Sequence, residues 1–388
     1  MLSSILVLAF SIWGAGIGDL QAGHLSTDSS VDPHNTYQWN RKNALRGNGK
    51  VDEKPWFEWW YYKVVVPETK EAFYFVYGVV NPWDFGKTMG GTHSYVGAGD
   101  FTDKFIIEDK FGIEDFEASH HKTFVKIGEH LASNKKIIGN LSEAANQISW
   151  DIDIKKDWTF DAEGWGTATG ITNIEWYPAQ AGATCNGTVI SNGRTIELKN
   201  APCYQDRNWG ISFPEWWSWI VSNKFKGHPD TVLAVGGGKP KFLNRFAPIE
   251  GVAVGLRHKG VEYAFRPNDL DDIDLNINFG TWEVTATNGR HKVKISAYAP
   301  PENFMDLQFT TPEGVIFHDW EALIGKVTVK LYKKHGFLIP RYELIDVLES
   351  DFAGIEYGSM DSQALNRLFQ GQTQVFSTKE AKRRAIER

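Results

Sequence analysis

Short runs of β-branched and aromatic residues, interrupted by turn residues about every eight to twelve positions, recur along almost the whole chain. Residues 63–66 and 73–80, joined by a turn at 67–70, are the clearest pair. No stretch shows the helical pattern of roughly ten to fifteen residues that would connect parallel strands. The pattern therefore predicts an all-β sandwich or barrel fold with few short helices.

The chain of 388 residues is long enough for one large β domain or two ordinary ones. Because no Pro- or Ser-rich linker interrupts it, we expect two β halves packed as one unit. The predicted division is a signal peptide at 1–22, a lead-in segment at 23–54, an N-terminal β half at 55–200, a C-terminal β half at 201–376 and a basic tail at 377–388. Further strands are expected at 124–127, 147–154, 166–174, 188–198, 231–238, 249–256, 261–265, 280–286, 292–299 and 325–332, an acidic solvated turn at 269–276, and a short helix at 362–370.

The N-terminus carries an apolar run at 5–13 followed by small residues, which is typical of a secretory signal peptide cut near Ala22. A buried N-terminal strand is the alternative interpretation. The run is too short to cross a bilayer and no later stretch reaches that length, so no stable membrane span is expected. We expect the mature protein to be secreted or to lie in the lumen of the secretory pathway.

The cysteines and the glycosylation sequons agree with passage through the secretory pathway. Cys185 and Cys203 are the only cysteines, and a disulfide between them would close a loop of about 18 residues and contribute about 3 kcal/mol. Two unpaired thiols are the alternative. Asn140 and Asn186 begin Asn-x-Ser/Thr sequons and are candidate glycosylation sites.

Charge and motifs exclude several functional classes. A net charge of -7 lacks the excess of basic residues that is typical of nucleic-acid-binding proteins. The chain has no G-x-S-x-G elbow and no strand–GxGxxG–helix, so hydrolase and nucleotide-cofactor chemistry is not expected. The triplet 236–238 indicates a turn, or a place where two backbones approach closely. The pair His120 and His121 lacks a second pair of ligands, and no metal site is predicted.

Residues 201–223 concentrate the chemistry-bearing side chains. The first half of the stretch contains Tyr204, Asp206, Arg207 and Asn208 and is interpreted as a tight turn. The second half alternates as a strand with bulky aromatic groups on one face. The tryptophans of the stretch are Trp209, Trp216, Trp217 and Trp219. Ionisable groups beside indole rings predict an apolar pocket with a few polar groups.

A second aromatic stretch at 56–62 is bulky at both odd and even positions, apart from Glu58. Such a strand is expected to be covered on both faces. A buried Glu58 then requires a partner or a raised pKa.

Both stretches resemble motifs of the tocopherol cyclase family. WFEWWYYKV at 56–64 is similar to the FFEGWYFKV-type motif, and YQDRNWGISFPEWWSW at 204–219 is similar to YxEKNWGxxFPxxWxW. AVGGG at 234–238 and FAGIEYG at 352–358 follow in the family's order, so the resemblance covers most of the mature chain. Two departures are Trp59 in place of the glycine of the first motif, and Asp206-Arg207 in place of Glu-Lys in the second.

The resemblance implies two lipocalin-like β halves, as in the carotenoid hydratases and fungal Diels–Alderases, and cofactor-free formation of an oxygen heterocycle. The implied partner is a hydrophobic small molecule, a prenylated or terpenoid phenol, quinone or quinone methide. An acid could protonate an isoprenoid alkene so that the ring oxygen captures the cation. Alternatively, a donor could promote a hetero-Diels–Alder addition, as in fungal secondary metabolism.

Candidate roles follow for the residues of the two motifs. Asp206 is the first candidate acid and Glu58 the second, with an ion pair between Asp206 and Arg207 as the structural alternative. Arg207 or Tyr204 would donate to a carbonyl oxygen. The expected substrate-binding residues are Trp59, Tyr61, His93, Asn208, Trp209, Trp216, Trp217 and Trp219, of which at least two tryptophans should only pack in the core.

A secreted lipocalin-like carrier without catalysis is the rival function. A carrier would line its cavity with apolar groups alone, whereas the enzyme requires a charged or acidic group pointing into it. The orientation of Asp206, Arg207 and Glu58 discriminates between the two.

Overall fold

The computed structural model describes residues 32–39, 55–83, 90–242, 247–248, 250–336, 340–380 and 383. The predicted signal peptide, most of the lead-in segment and most of the basic tail lie outside the described residues. Within that part of the chain the fold is almost entirely β. The all-β prediction is therefore confirmed.

The first sheet is antiparallel and has the strand order β4-β3-β2-β1-β11-β10-β9-β8-β7-β6-β5. The sheet curls around one apolar core, since its edge strand β4 contacts β8 and β9 in the other half of the sheet. Its strands are β1 Phe57–Val66, β2 Glu71–Val80, β3 His93–Asp100, β4 Phe105–Phe111, β5 Phe116–Ala118, β6 Phe124–Ile127, β7 His130–Ser133, β8 Lys136–Glu143, β9 Asn146–Trp158, β10 Ile174–Ser191 and β11 Arg194–Gly210.

The second sheet has the order β17-β16-β13-β12-β23-β22-β20-β19-β18-β24, with β21 paired to β22. It encloses a core of its own. Its strands are β12 Trp216–Ser222, β13 Val232–Gly238, β16 Gly251–His258, β17 Val261–Phe265, β18 Asp272–Asn278, β19 Thr281–Thr287, β20 His291–Tyr298, β21 Met305–Thr310, β22 Ile316–His335, β23 Arg341–Ser359 and β24 Gln374–Ser377. The short strands β14 Lys241–Phe242 and β15 Ala247–Pro248 pair with each other.

Helical structure is short. The predicted helix is confirmed as α1, Ser362–Phe369, whose first backbone N–H groups are capped by Asp361. Single 3₁₀ turns occur at Pro33–Asn35, Ile113–Asp115, Gly164–Gly166, Pro267–Asp269 and Pro301–Asn303. No helix of the described ranges has the length and apolarity needed to cross a membrane.

A third apolar core lies where the two sheets face each other. Strand β1 shows how it forms, because side chains alternate between the two faces of a strand. Trp60 and Tyr62 point into the core of the first sheet, whereas Trp59 and Tyr61 point toward the second sheet. The expectation that this strand is covered on both faces is confirmed, since every residue of β1 is buried.

Three local predictions are wrong. The expected turn at 201–210 is the end of β11, and the chain leaves the first sheet only after Gly210. The acidic segment at 269–276 is largely β18, because Ile273 and Leu275 alternate inward and the acids face outward. The predicted strand at 166–174 is the end of a 3₁₀ turn and a loop in which Gly170 has a positive φ of 67°, and β10 begins only at Ile174.

The predicted disulfide is confirmed. Cys185 on β10 and Cys203 on β11 are bonded, with Cα atoms 5.9 Å apart in the core of the first sheet. The sequon residues lie on strands: Asn140 is exposed on β8, and Asn186 on β10 hydrogen-bonds to Asn200. Their glycosylation stays a prediction.

Candidate active site

A cavity of about 280 Å³ lies between the two sheets. The first sheet contributes walls from β1, β10 and β11, and the second contributes walls from β12, β13, β16, β22 and β23. The aromatic lining residues are Trp59, Tyr61, Trp165, Trp176, Trp217, Trp219 and Phe309. The lining carboxyl groups are Glu163, Glu175, Asp206, Glu250, Asp319 and Glu356. Trp165 is 67% exposed, so it marks the open side.

Strand alternation decides which of the predicted site residues enter the cavity. On β11 the side chains of Asp206 and Asn208 point into the cavity. Arg207 and Trp209, which alternate with them along the strand, point to the opposite face. On β1 the same rule brings Trp59 and Tyr61 to the cavity and turns Glu58 away. The two strands pair with Tyr61 opposite Asp206, so both sets meet on one face.

Asp206 is the acid of the first sheet. The side chain is only 5% exposed, and burial raises the pKa of Asp206 to about 7, opposed by hydrogen bonds from Trp176 and Tyr204. The Trp176 Nε1–H donates to Oδ2 at 2.8 Å and the Tyr204 hydroxyl donates to the same oxygen at 2.9 Å. Because both donors occupy Oδ2, the carboxyl proton belongs on Oδ1. With a pKa of about 7, Asp206 keeps its proton in a large share of molecules at neutral pH and can act as an acid there.

Tyr204 supports this acid from behind the cavity wall. Its hydroxyl accepts a hydrogen bond from Trp219 Nε1 at 3.1 Å and donates one to Asp206 Oδ2. Burial raises the pKa of Tyr204 well above its usual value, so the phenol stays a donor. Tyr204 and Asp206 are brought together as predicted, but Tyr204 acts through Asp206.

Trp59 fills the space that the family's glycine would leave open. Its ring stacks on Phe309 with centroids 5.4 Å apart and planes at 11°. Its Nε1–H donates to the amide oxygen of Asn208 at 3.0 Å, and the Asn208 nitrogen donates to the backbone carbonyl of Glu175 at 3.3 Å. Asn208 therefore fixes the Trp59 indole in the cavity wall and donates a hydrogen bond to a backbone carbonyl of the neighbouring strand β10.

Glu58 and Arg207 form an ion pair on the opposite face of the sheet, and their predicted catalytic roles are corrected accordingly. Both side chains are fully buried. Burial raises the pKa of Glu58, and the Arg207 guanidinium opposes the rise together with the backbone N–H groups of Gln38 and Trp39. Arg207 also donates to the backbone carbonyls of His34 and Thr36 and lies 4.4 Å over the Trp60 ring. The pair anchors the segment 32–39 instead of facing a substrate.

Other predicted binding residues also lie away from the cavity. Trp209 packs with Tyr177 on the far face of β11, and Trp216 stacks on Tyr357 in the core of the second sheet. His93 begins β3 and lines no part of the cavity; burial lowers the pKa of His93 to about 4. The expectation that at least two of the four tryptophans only pack in the core is confirmed.

The second sheet supplies carboxyl groups that the sequence did not single out. Asp319 on β22 and Glu356 on β23 line the cavity, and Glu321 lies beside them. The Trp217 Nε1–H donates to Asp319 Oδ1 at 2.9 Å, and the Tyr61 hydroxyl donates to Glu321 Oε1. A usable signal was present, because Glu356 is the lone charge of the FAGIEYG stretch and points inward between apolar neighbours.

Lys63 is a buried amine near this carboxyl cluster. It continues the face of β1 that carries Trp59 and Tyr61, and its Nζ donates to the Phe352 carbonyl at 3.1 Å. Burial lowers the pKa of Lys63 to about 7, and the Glu321 charge opposes that change. The cluster contains more buried carboxyl groups than cations, so burial keeps most of them protonated.

Glu163 and Glu175 form a second carboxyl pair near the open side. Burial and the neighbouring Glu175 raise the pKa of Glu163 well above its usual value. The Trp176 backbone N–H donates to Glu163 at 2.7 Å, and the Gly170 N–H donates to Glu175 at 3.0 Å. The pair fixes the loop after β9 to the strand that carries Trp176.

The glycine triplet is confirmed as a point of close approach. A Cβ on Gly236 would lie 2.5 Å from the Trp176 ring, and one on Gly237 would lie 2.0 Å from the Gly251 carbonyl oxygen. Gly236 therefore leaves the space in which the Trp176 indole reaches Asp206.

One cluster in the described ranges has ligands suited to a metal, and it lies outside the cavity. Ligand atoms of His228, His258 and Asp346 are within 4.8 Å of one another. Lys259 Nζ lies 2.8 Å from Asp346 Oδ2, the same oxygen that pairs with His258, so the cluster forms an ion-pair network. His120 binds the Tyr37 carbonyl at 2.8 Å.

Fold and site together define an all-β protein in which two curled sheets enclose an aromatic, carboxyl-lined cavity. The chain belongs to the tocopherol cyclase-like family, whose model matches residues 54–141 and 128–359. This confirms the resemblance given by the two motifs.

The two tocopherol cyclases that match by sequence agree with the family assignment. The chain is 25% identical over 339 residues to a protein described as "Probable tocopherol cyclase, chloroplastic" from Oryza sativa subsp. japonica, covering 73% of this chain and 71% of the relative. It is 23% identical over 360 residues to "Tocopherol cyclase, chloroplastic" from Zea mays, covering 79% and 75%. Kievitone hydratase from Nectria haematococca matches with a TM-score of 0.44 and 12% identity over 78% of this chain and 88% of that structure.

Proposed function

We propose that the protein is a cofactor-independent cyclase that forms an oxygen heterocycle from a prenylated phenol or hydroquinone. The observation that carries the proposal is Asp206, a buried acid with a raised pKa in the lining of a cavity walled by indoles. The family and its named relatives support ring closure as the reaction class.

The reaction needs a proton at one alkene carbon and a surface that tolerates the resulting cation. Asp206 Oδ1–H would protonate the alkene, which leaves a tertiary cation that the ring oxygen captures. The faces of Trp59, Trp176 and Trp219 can stabilise that cation through their π electrons. General acid catalysis of this kind contributes about 10²- to 10⁴-fold to the rate.

The carrier alternative is disfavoured by the polarity of the cavity wall. An apolar ligand gains nothing from buried carboxyl groups, and each such group costs free energy of desolvation unless it is paired. Asp206, Asp319 and Glu356 all line the cavity, and the described part of the chain places no cationic group at hydrogen-bond distance from them. Their retention supports catalysis over transport.

Hetero-Diels–Alder addition of a quinone methide to an alkene is the second candidate. Asp206 Oδ1–H favours it as well, since it could donate a hydrogen bond to the carbonyl oxygen without transferring its proton. The two reactions differ at one atom. Ring closure by protonation adds a solvent-derived hydrogen to carbon, and cycloaddition adds none.

The purified protein should be incubated in D₂O with a prenylated hydroquinone, and separately with a quinone methide precursor plus a terpene alkene. Proton-initiated closure predicts one deuterium per product molecule at carbon. Asp206→Asn should then abolish turnover, because an amide cannot transfer the proton. Deuterium-free product that Asp206→Asn still forms would indicate cycloaddition, and no product with binding alone would indicate a carrier.

We further propose that the protein acts in an oxidising compartment. The Cys185–Cys203 disulfide supports this, because such bonds persist outside the cytosol. Mass analysis of the protein isolated from its source would test it: a mature N-terminus near residue 23 supports secretion, and an intact N-terminus with free thiols contradicts it.

A further inference from the structure

The cavity carries acidic groups on two opposite walls. Asp206 belongs to β11 of the first sheet, whereas Asp319 and Glu356 belong to β22 and β23 of the second. A substrate between the sheets would therefore contact Asp206 on one side and the pair of Asp319 and Glu356 on the other. The pair is distinct from Asp206 in its hydrogen bonding.

Asp319 is held as a proton acceptor. Its Oδ1 accepts a hydrogen bond from Trp217 Nε1 at 2.9 Å, and the Glu356 carboxyl donates to it. Burial raises the pKa of Asp319 to about 7, and these two donors oppose the rise. Burial and the charges of Asp319 and Glu321 raise the pKa of Glu356 well above its usual value. The proton of the pair therefore resides on Glu356, and Asp319 is the first member to ionise.

Ring closure requires such an acceptor. When the ring oxygen bonds to the cation, its hydroxyl proton has to leave. The acid that has just protonated the alkene could also accept the ring hydroxyl proton. It could do so only if the alkene carbon and the ring oxygen both lay against the same carboxyl group. Two carboxyl groups on opposite walls remove that geometric conflict.

We propose, on the basis of the function proposed above, that Asp319 is the catalytic base that removes the ring hydroxyl proton while Asp206 protonates the alkene. The alkene π bond breaks as the C–H bond forms, the C–O bond forms, and the O–H bond breaks. Asp206 ends as a carboxylate and Asp319 as a carboxylic acid. Proton exchange with solvent restores both, so no oxidant or reductant is needed.

Glu321 provides a matched control. It is as deeply buried and neighbours the same carboxyl groups, but it hydrogen-bonds to Tyr61 and lines no part of the cavity. Glu321→Gln removes one buried ionisable group without removing the proposed base. Binding of the ring-closed product, followed by quenching of tryptophan fluorescence, reports whether each variant keeps an intact cavity.

The experiment measures kcat/KM against pH for the wild type, Asp319→Asn and Glu321→Gln, with a prenylated hydroquinone and with a ring-halogenated analogue whose hydroxyl is more acidic. In the wild type the rate should fall on both sides of a maximum. Asp319→Asn should lose about 100-fold or more, and its rate should no longer fall at low pH. Its loss should be at least several-fold smaller with the more acidic phenol, which needs less help from a base. Glu321→Gln should keep the fall of kcat/KM at low pH (the acidic limb) and at high pH (the alkaline limb).

A second variant covers the case in which Asp319→Asn fails to fold. Glu356→Leu removes a donor that stabilises the Asp319 anion, so the acidic limb should move to higher pH. The proposal is overturned if Asp319→Asn behaves like Glu321→Gln, or loses the same factor with both phenols, or if Glu356→Leu leaves the acidic limb in place. Absence of turnover by the wild type with both phenols instead overturns the proposed function, and this inference with it.

Discussion

Two buried acids on neighbouring strands, Glu58 and Asp206, differ in one respect that decides what each can do. Glu58 faces the core of the first sheet and is paired with Arg207, whereas Asp206 faces the cavity and has only neutral donors. The partner Arg207 is the very next residue after Asp206, so a single step along β11 separates the structural group from the reactive one. A buried carboxyl group with a cation holds the fold together; one without a cation keeps its proton and can deliver it.

Replacing Arg207 should produce the largest loss of stability. Arg207→Ala leaves Glu58 buried without its cation and frees the segment 32–39, and we expect the free energy of unfolding to fall by about 3–5 kcal/mol. Asp206→Asn should not lower the free energy of unfolding at pH 7, because the amide oxygen still accepts from Trp176 and Tyr204 and the amide carries no buried charge. Urea denaturation of both variants at pH 7 measures the difference.

The double variant Glu58→Gln/Arg207→Met controls for lost packing around the guanidinium. It should be more stable than Arg207→Ala, because no unpaired charge remains. Equal stability of Arg207→Ala and Asp206→Asn would contradict the distinction between the two faces.

Asp206 should also make stability depend on pH. Its pKa is about 7 in the folded protein, above the ordinary value of 3.8. The folded state therefore binds more protons than the unfolded state between these values, and stability falls as pH rises from about 4 to about 7. Asp206→Asn should remove this loss, so that relative to the wild type it gains up to about 4 kcal/mol between pH 4 and pH 7.

Urea denaturation of the wild type and Asp206→Asn across this pH range measures the gain. Asp351→Asn serves as control and should follow the wild type, because the half-exposed Asp351 lies at the surface of β23, where it pairs with Lys226. A constant difference between Asp206→Asn and the wild type across the range would show that Asp206 is ionised throughout, and would remove it as an acid.

The face on which each residue lies could be predicted only where polarity alternates along the strand. At 217–221 the alternation of Trp217 and Trp219 with Ser218 was sufficient, and both indoles line the cavity. At 204–210 both faces of β11 are buried and carry polar groups, so the polar run resembled a turn. A strand buried on both faces has no polar side to reveal its period.

Contacts between residues that are distant in sequence were harder still to predict. The pairing of Glu58 with Arg207 depends on the register that sets Trp60 opposite Arg207, which no local pattern contains. Asp319 and Glu356 reach the cavity from the other sheet. The fold class and the existence of an aromatic site followed from local patterns, whereas the acid–base geometry required the packing of one sheet on the other.

Filling the space at Gly236 should disturb Asp206 without touching it. The Cβ of Gly236→Ala would meet the Trp176 ring, so the indole has to shift and its hydrogen bond to Asp206 is lost. We expect a stability loss of about 1–3 kcal/mol and an alkaline limb of the pH–rate profile that moves to higher pH. Trp176→Phe removes the same donor without overfilling the site, and should reproduce the shift of the limb. A shift in neither variant would mean that Trp176 does not set the acidity of Asp206.

Tyr204→Phe should give the smallest and most specific effect. It removes the second donor to Asp206 Oδ2, so the carboxylate is less stabilised and the pKa of Asp206 rises further. A hydrogen bond to a charged group is worth about 1.5–3 kcal/mol, which corresponds to a rise of the Asp206 pKa by about one to two units. The alkaline limb of kcat/KM should move upward by that amount. Tyr62→Phe is the matched control, because its buried hydroxyl on the other face of β1 has no hydrogen-bond partner within the described structure. An identical pH–rate profile for the two variants would show that the Tyr204 hydroxyl does not affect the pKa of Asp206. The hydroxyl would then contribute only to packing within the sheet, like that of Tyr62.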